Sequence, residues 1–196
     1  MVSELAALLA FTFVGTVSPG PNNAVLWASG ISFGFRRTVP HIVGTAFGMG
    51  LLVLGVAAGI GALLEALPVA DVALKVIGSA YLLYIAFRVA GSGVVGRTDV
   101  PHPLHVWQAI AFQFLNPKAW VFAVAVVGTF LPSGLPRLAG VGLLTGIIMV
   151  VVVGSSSIWA AGGAALGRLV EDGRRRRVVS LVLAGMIVAS VVLIWL

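Results

Sequence analysis

Two short polar breaks, Ser18-Pro19-Gly20-Pro21-Asn22-Asn23 and Asn116-Pro117-Lys118, interrupt apolar stretches that are each long enough to cross a bilayer. No other feature constrains the fold as strongly. In hydrocarbon a helix satisfies its backbone from within, and a broken helix is tolerated only where protein or a water-filled cavity covers the freed N–H and C=O groups. The breaks sit at matching places in the two halves of the chain, Pro19 and Pro117 being 98 positions apart. Paired interruptions of this kind point to the binding site of a small transporter.

Composition sets the class. Apolar residues make up 60% of the 196 and charged residues only 9%, and several runs exceed the roughly 18 residues that a span needs. The expectation is an all-α polytopic membrane protein of six transmembrane helices, at about 4–27, 41–66, 69–90, 107–131, 138–166 and 177–196, with the first and fourth broken. They make a single transporter domain over 1–196: one repeat at about 1–90, a Gly- and Pro-bearing linker at 91–106, and a second repeat at about 107–196. The offset of 98 also pairs Gly30 with Gly128, Gly44 with Gly142 and Gly48 with Gly146, and an offset of 107 pairs Gly78 with Gly185. A three-span repeat inverts on duplication, which gives two inverted three-helix repeats about an axis in the membrane plane. The second and third spans, joined near Pro68, are expected to form a tight hairpin.

The formal net charge of +6 has a topological reading. Arg36, Arg37, Arg88, Arg97, Arg168 and Arg174 to Arg177 fall in loops on one side, against Lys75 and Arg137 on the other. The positive-inside rule puts the Arg-rich loops in the cytoplasm and both termini outside. Nucleic acid is not an expected partner, since no basic stripe lies on a folded soluble face. Membrane lipid is one, with the run Arg174 to Arg177 as a topogenic and headgroup-facing patch. The absence of cysteine excludes disulfides and thiolate ligands, and His41, His102 and His105 have no carboxylate cluster nearby, so neither metal nor cofactor is expected. The start, Met1-Val2-Ser3-Glu4, lacks the basic region of a signal peptide, so the first apolar run reads as a retained span. An enzyme would need an Asp dyad, a Ser–His arrangement or a His-Glu-x-x-His element at membrane depth, and the sequence has none.

The breaks carry the chemistry. Pro19 and Pro21 each remove a backbone donor, Gly20 adopts conformations other residues resist, and Asn22 and Asn23 open a new half-helix. Such an N-terminus carries partial positive charge and unpaired N–H groups suited to a carboxylate. The competing reading is a plain kink whose carbonyls are satisfied by Ser18 and the asparagines. Around the second break stand Gln113, Asn116, Pro117, Lys118 and Trp120. Lys118 is the one basic residue inside a span, and an ammonium at mid-bilayer costs roughly 3 kcal/mol or more unless it faces a cavity or a partner. Snorkelling along its stem to the interface is the alternative. Ser155-Ser156-Ser157 must turn at least one hydroxyl inward, with Ser156 taken as the site residue. Gly44, Gly48, Gly50 and Gly55, and Gly142 with Gly146, read as helix-packing positions.

The Ser-Pro-Gly-Pro-Asn-Asn break, Gly78 with Ala80-Tyr81-Leu82, and Asn116-Pro117-Lys118 resemble the LysE/RhtB family of bacterial amino-acid exporters over essentially the whole chain. Ser32-Phe33-Gly34-Phe35-Arg36-Arg37, Gln113-Phe114-Leu115-Asn116 and Trp159-Ala160-Ala161-Gly162 look most like its cysteine/O-acetylserine branch. The resemblance implies efflux of amino acids or close derivatives across the cytoplasmic membrane, driven by the proton motive force. The substrate carboxylate would sit near Gly20-Pro21-Asn22-Asn23 with help from Lys118, and Gln113 and Asn116 would orient polar groups. With no carboxylate deep in any span, a small neutral amino acid fits better than a dicationic one. Some members carry an acidic residue in the second span, where this chain reads Gly48-Met49-Gly50-Leu51, which leaves Lys118 or His41 for any proton coupling. A homodimer is an assembly open to such a chain.

Overall fold

The computed structural model describes residues 2–59, 68–91, 102–169 and 173–195. These form eight helices and no strand: α1 (Val2–Val17), α2 (Pro21–Phe33), α3 (Phe35–Ala57), α4 (Pro68–Gly91), α5 (Val106–Phe114), α6 (Pro117–Phe130), α7 (Arg137–Leu169) and α8 (Gly173–Trp195). The expected hairpin turn between the second and third spans, most of the 91–106 linker with Arg97, and the acidic Glu65, Glu171 and Asp172 lie outside the described residues.

Both breaks are real bends. The paired helices α1 and α2 meet at 64°, and α5 and α6 at 73°. Gly20 and Asn116 are the N-caps of α2 and α6, and Pro21 and Pro117 occupy the first helical position of each. Proline has no N–H to give to the preceding turn and its φ suits a helix start, so it ends one half-helix and begins the next. Between α2 and α3 the turn is made by Gly34, whose φ of 78° is the left-handed region that favours glycine. A capping box opens α5, where the His105 N–H donates to Gln108 Oε1 at 3.0 Å.

By length and apolar composition α3 and α7 can each cross a membrane, and the two bent pairs raise the number to four. The apolar cores of α4 and α8, Lys75–Phe87 and Arg177–Val192, are shorter. The described residues therefore carry two to four candidate spans where six are expected. The outer surface is apolar: Leu138, Val150 and Val121 are 86%, 73% and 71% exposed. That is a surface for lipid.

In lipid, apolar burial gives helices little reason to associate, and close backbone approach at small residues takes its place. The α2–α7 contact, the most extensive in the fold, shows this twice over: Gly30 lies against the Ala160 carbonyl and Gly163 against the Trp27 carbonyl. Gly44 lies against the Val106 carbonyl, Gly48 against Gln113 and Gly50 against Met149. The expectation for Gly142 and Gly146 is corrected, because among the described residues nothing lies within 4 Å of where a Cβ on either would stand. The same holds for Gly128 and Gly185, while their partners by sequence offset, Gly30 and Gly78, are tightly packed. The offset glycines share no packing role; the breaks share theirs.

One cation outside the breaks also has a structural task. Arg137 Nη2 donates to the Ala57 carbonyl at 2.7 Å, satisfying the C-terminus of α3 from the start of α7. Arg137→Met is expected to lower stability in detergent by about 1–2 kcal/mol and to leave transport unchanged, as thermal unfolding beside flux assays can check.

Candidate functional site

The two bends face each other across one open cavity, whose empty space of about 430 Å³ includes its mouth. Gly20, Pro21, Asn22 and Asn23 of the first break and Asn116 and Lys118 of the second form its walls. Gln113 of α5, Thr45 and Met49 of α3, and Ser155 and Ser156 of α7 join them, the rest of the wall being the largely apolar Gly15, Thr16, Ala119, Phe122 and Val152, with no carboxylate among the lining residues.

Lys118 joins the breaks. Its Nζ donates to Ser18 Oγ at 2.8 Å and to the Ser18 and Pro19 carbonyls at 3.0 Å each. Those carbonyls lie in the bend between α1 and α2, just past the negative end of α1. The ammonium thus caps α1 from the other half of the chain, and all three of its donors are used. Gly20 makes room for it: a Cβ there would stand 3.0 Å from Nζ and 3.1 Å from Cδ. Snorkelling to an interface is not what this side chain does.

The adjacent asparagines divide the work. Asn23 Nδ2 donates to the Thr16 and Ser18 carbonyls, both at 2.8 Å, so this side chain repairs the broken end of α1 as the kink reading holds. Asn22 looks elsewhere. Its Oδ1 accepts from Thr45 Oγ1 at 3.2 Å and lies 3.3 Å from His41 Nε2. Asn116 makes no side-chain cap bond, and its Oδ1 is buried without a partner. Buried Gln113 packs its stem on Gly48.

Four of the residues expected at the site stand outside the cavity wall. Ser18 and Pro19 take part through Lys118, and Ser18 through Asn23 as well. Pro117 packs behind the wall, 3.3 Å from where a Cβ on Gly78 would stand. Trp120 turns back on its own break, its Nε1 donating to the Phe114 carbonyl at 2.9 Å and its ring edge-on to Phe114. Conversely, Thr45, Met49 and Ser155 line the cavity without having been picked out, and His41, read as a span-edge residue, is fully buried beside Asn22. Their signal was available: His41, Thr45 and Met49 recur every four residues, on one face of α3.

A cavity that sets amide, hydroxyl and backbone N–H groups beside apolar side chains, with one ammonium in its wall and no carboxylate, can solvate a small neutral polar or zwitterionic molecule. The N–H groups of Asn22 and Asn23, in the first turn of α2, have no helical acceptor and add the positive end of that helix.

The chain matches the family model described as LysE type translocator over residues 13–195. A cysteine/O-acetylserine efflux protein of Salmonella choleraesuis is 28% identical over 163 residues, which cover 81% of this chain and 82% of that protein. A protein of the same name from Escherichia coli K12 is 29% identical over 180 residues, covering 89% and 90%. No solved structure matches the chain. The resemblance carried by the two break motifs is thereby borne out. A match running through both bends and on into α8 makes this chain a member of the LysE type translocator family, a transport protein and not an enzyme.

Proposed function

We propose that the protein exports small neutral amino acids or close derivatives, cysteine and O-acetylserine first among them, across the bacterial cytoplasmic membrane through the cavity between its two bends. The observation that carries this reading is the cavity itself: both breaks contribute to its wall, and that wall sets polar groups beside apolar ones and holds no carboxylate. The names of the relatives supply the substrate candidates. In this reading the substrate carboxylate meets the start of α2 at Gly20, Pro21, Asn22 and Asn23. Gln113, Asn116 and Ser156 orient its amino group and side chain. Lys118 contributes its charge to the wall while its hydrogen bonds stay on Ser18 and Pro19.

The transport cycle follows from symmetry. The order of broken pair, long helix, further helix occurs twice. Exchanging the halves maps α3–α5 packing onto α7–α1, α2–α7 onto α6–α3 and α2–α8 onto α6–α4, with α3–α7 and α4–α8 mapping onto themselves. That pattern supports six spans in two inverted repeats, about 1–90 and 107–196, rocking against each other in alternating access. Both termini lie outside, by the distribution of arginine, and the proton motive force drives export. A homodimer needs no further site residue and leaves this scheme unchanged.

Purified protein in proteoliposomes is expected to show saturable exchange of labelled O-acetylserine, reduced at least ten-fold in Asn22→Ala, since a hydrogen bond to a charged group contributes about 1.5–3 kcal/mol. Folded protein that exchanges no member of a broad amino-acid panel would contradict the assignment.

A further inference from the structure

Among the described residues, Asn22 is the only wall residue whose amide is held by two other side chains, and the identity of those side chains fixes which way it points. His41 is fully buried, with Nε2 at 3.3 Å from Asn22 Oδ1 and with Nδ1 buried and without a partner. A buried orphan acceptor is tolerated better than a buried orphan N–H. The ring proton therefore sits on Nε2, and His41 donates to Asn22. Thr45 Oγ1 donates to the same oxygen at 3.2 Å. The reversed amide would set N–H against the Nε2–H of His41, and the Thr45 hydroxyl, able to donate or accept, adds its proton to the orientation that His41 fixes. Nδ2 is thus turned away from α3, on a side chain that lines the cavity, and it has no hydrogen bond among the described residues. Asn116, its counterpart at the second break, has no such clamp.

We propose that His41 and Thr45 are positioning residues that lock Asn22 as a fixed hydrogen-bond donor, and that this donor selects the substrate's carboxylate over uncharged replacements. The proposal rests on the reading of the cavity as the transport site. A fixed donor beside the unpaired N–H groups of α2 requires acceptors from the ligand. A carboxylate offers acceptors on both oxygens, whereas a carboxamide in the same place turns an N–H₂ toward one of the donors. An unclamped asparagine can flip to meet that N–H₂, so loss of the clamp weakens the carboxylate ligand and spares the carboxamide.

The test is uptake of labelled O-acetylserine into proteoliposomes, competed by unlabelled O-acetylserine or by its carboxamide. Wild type is expected to prefer the carboxylate at least ten-fold. Thr45→Val, which keeps the shape and removes the hydroxyl, is expected to raise KM for O-acetylserine about five-fold, with a smaller change in Vmax. It should also narrow the preference by a similar factor, and His41→Leu should do the same. Thr45→Ser restores the hydroxyl and should recover most of the selectivity. Wild-type uptake with an unmoved preference in both Thr45→Val and His41→Leu would overturn the clamp alone. So would equal weakening of both competitors, the mark of a merely structural role. No uptake by wild type would overturn the transport reading and the clamp with it.

Discussion

Lys118→Met is expected to reduce amino-acid exchange by more than ten-fold and to destabilise the folded protein at the same time. The lysine makes three charge-assisted hydrogen bonds, and its loss takes the partner from the Pro19 carbonyl and leaves Ser18 only its bonds with Asn23 and Gly15 at the end of α1. Water from the cavity replaces part of that, so the net cost is about 2–4 kcal/mol. In a chain of this size that lowers the melting temperature by on the order of 10 °C. Arginine does not restore the contact. The space above Gly20 is already filled by the ammonium and its stem, with a Cβ position only 3.0 Å from Nζ, and a planar guanidinium needs more room. The readouts are thermal unfolding in detergent and counterflow in proteoliposomes. A variant that loses transport with unchanged stability would mean that the lysine acts on substrate rather than on the break.

The second large effect concerns folding alone. Gly163→Val forces a branched side chain against the Trp27 backbone at the α2–α7 contact. The obstacle is backbone rather than a flexible side chain, so the helices must separate. Overpacking of this kind costs about 3 kcal/mol or more, and in lipid no compensating apolar burial draws the helices back together. Gly30→Val meets the Ala160 carbonyl from the other side and should fail likewise. Gly146→Val is the control, since among the described residues nothing lies within 4 Å of where a Cβ on Gly146 would stand. The first two are expected to be lost from the monodisperse peak of detergent-purified protein and the third to be retained. Equal yields from all three would contradict the packing described for α2 and α7.

What was legible in the sequence is what local chemistry decides. Pro21 and Pro117 favour the start of a helix, and with Pro19-Gly20 and Asn116 beside them they place the bends, whereas Pro40 alone is accommodated within α3. The apolar runs specify helices for the same local reason. The partners of Lys118 were not legible, because Ser18 lies 100 residues away and only the assembled bundle brings the two together. Nor was the different work of Asn22 and Asn23. Neighbours on a helix point about 100° apart, and which direction meets α3 and which meets the broken end of α1 is a tertiary fact. Glycine spacing misled for a related reason. Gly44 and Gly142 share an offset, but one faces the Val106 backbone and the other open space, and sequence spacing does not record which face of a helix has a neighbour.

The central claim, that substrate passes through the cavity between the bends, is tested most directly by substrate protection of a single introduced thiol. The chain contains no cysteine, so Ser156→Cys places one reactive group in the cavity wall, and Ser133→Cys places another in the exposed turn between α6 and α7. Saturating O-acetylserine, which carries no thiol of its own, is expected to slow maleimide labelling of Ser156→Cys several-fold and to leave Ser133→Cys unaffected. Labelling of Ser156→Cys that is indifferent to O-acetylserine, in protein that still transports it, would place the route elsewhere and contradict the account.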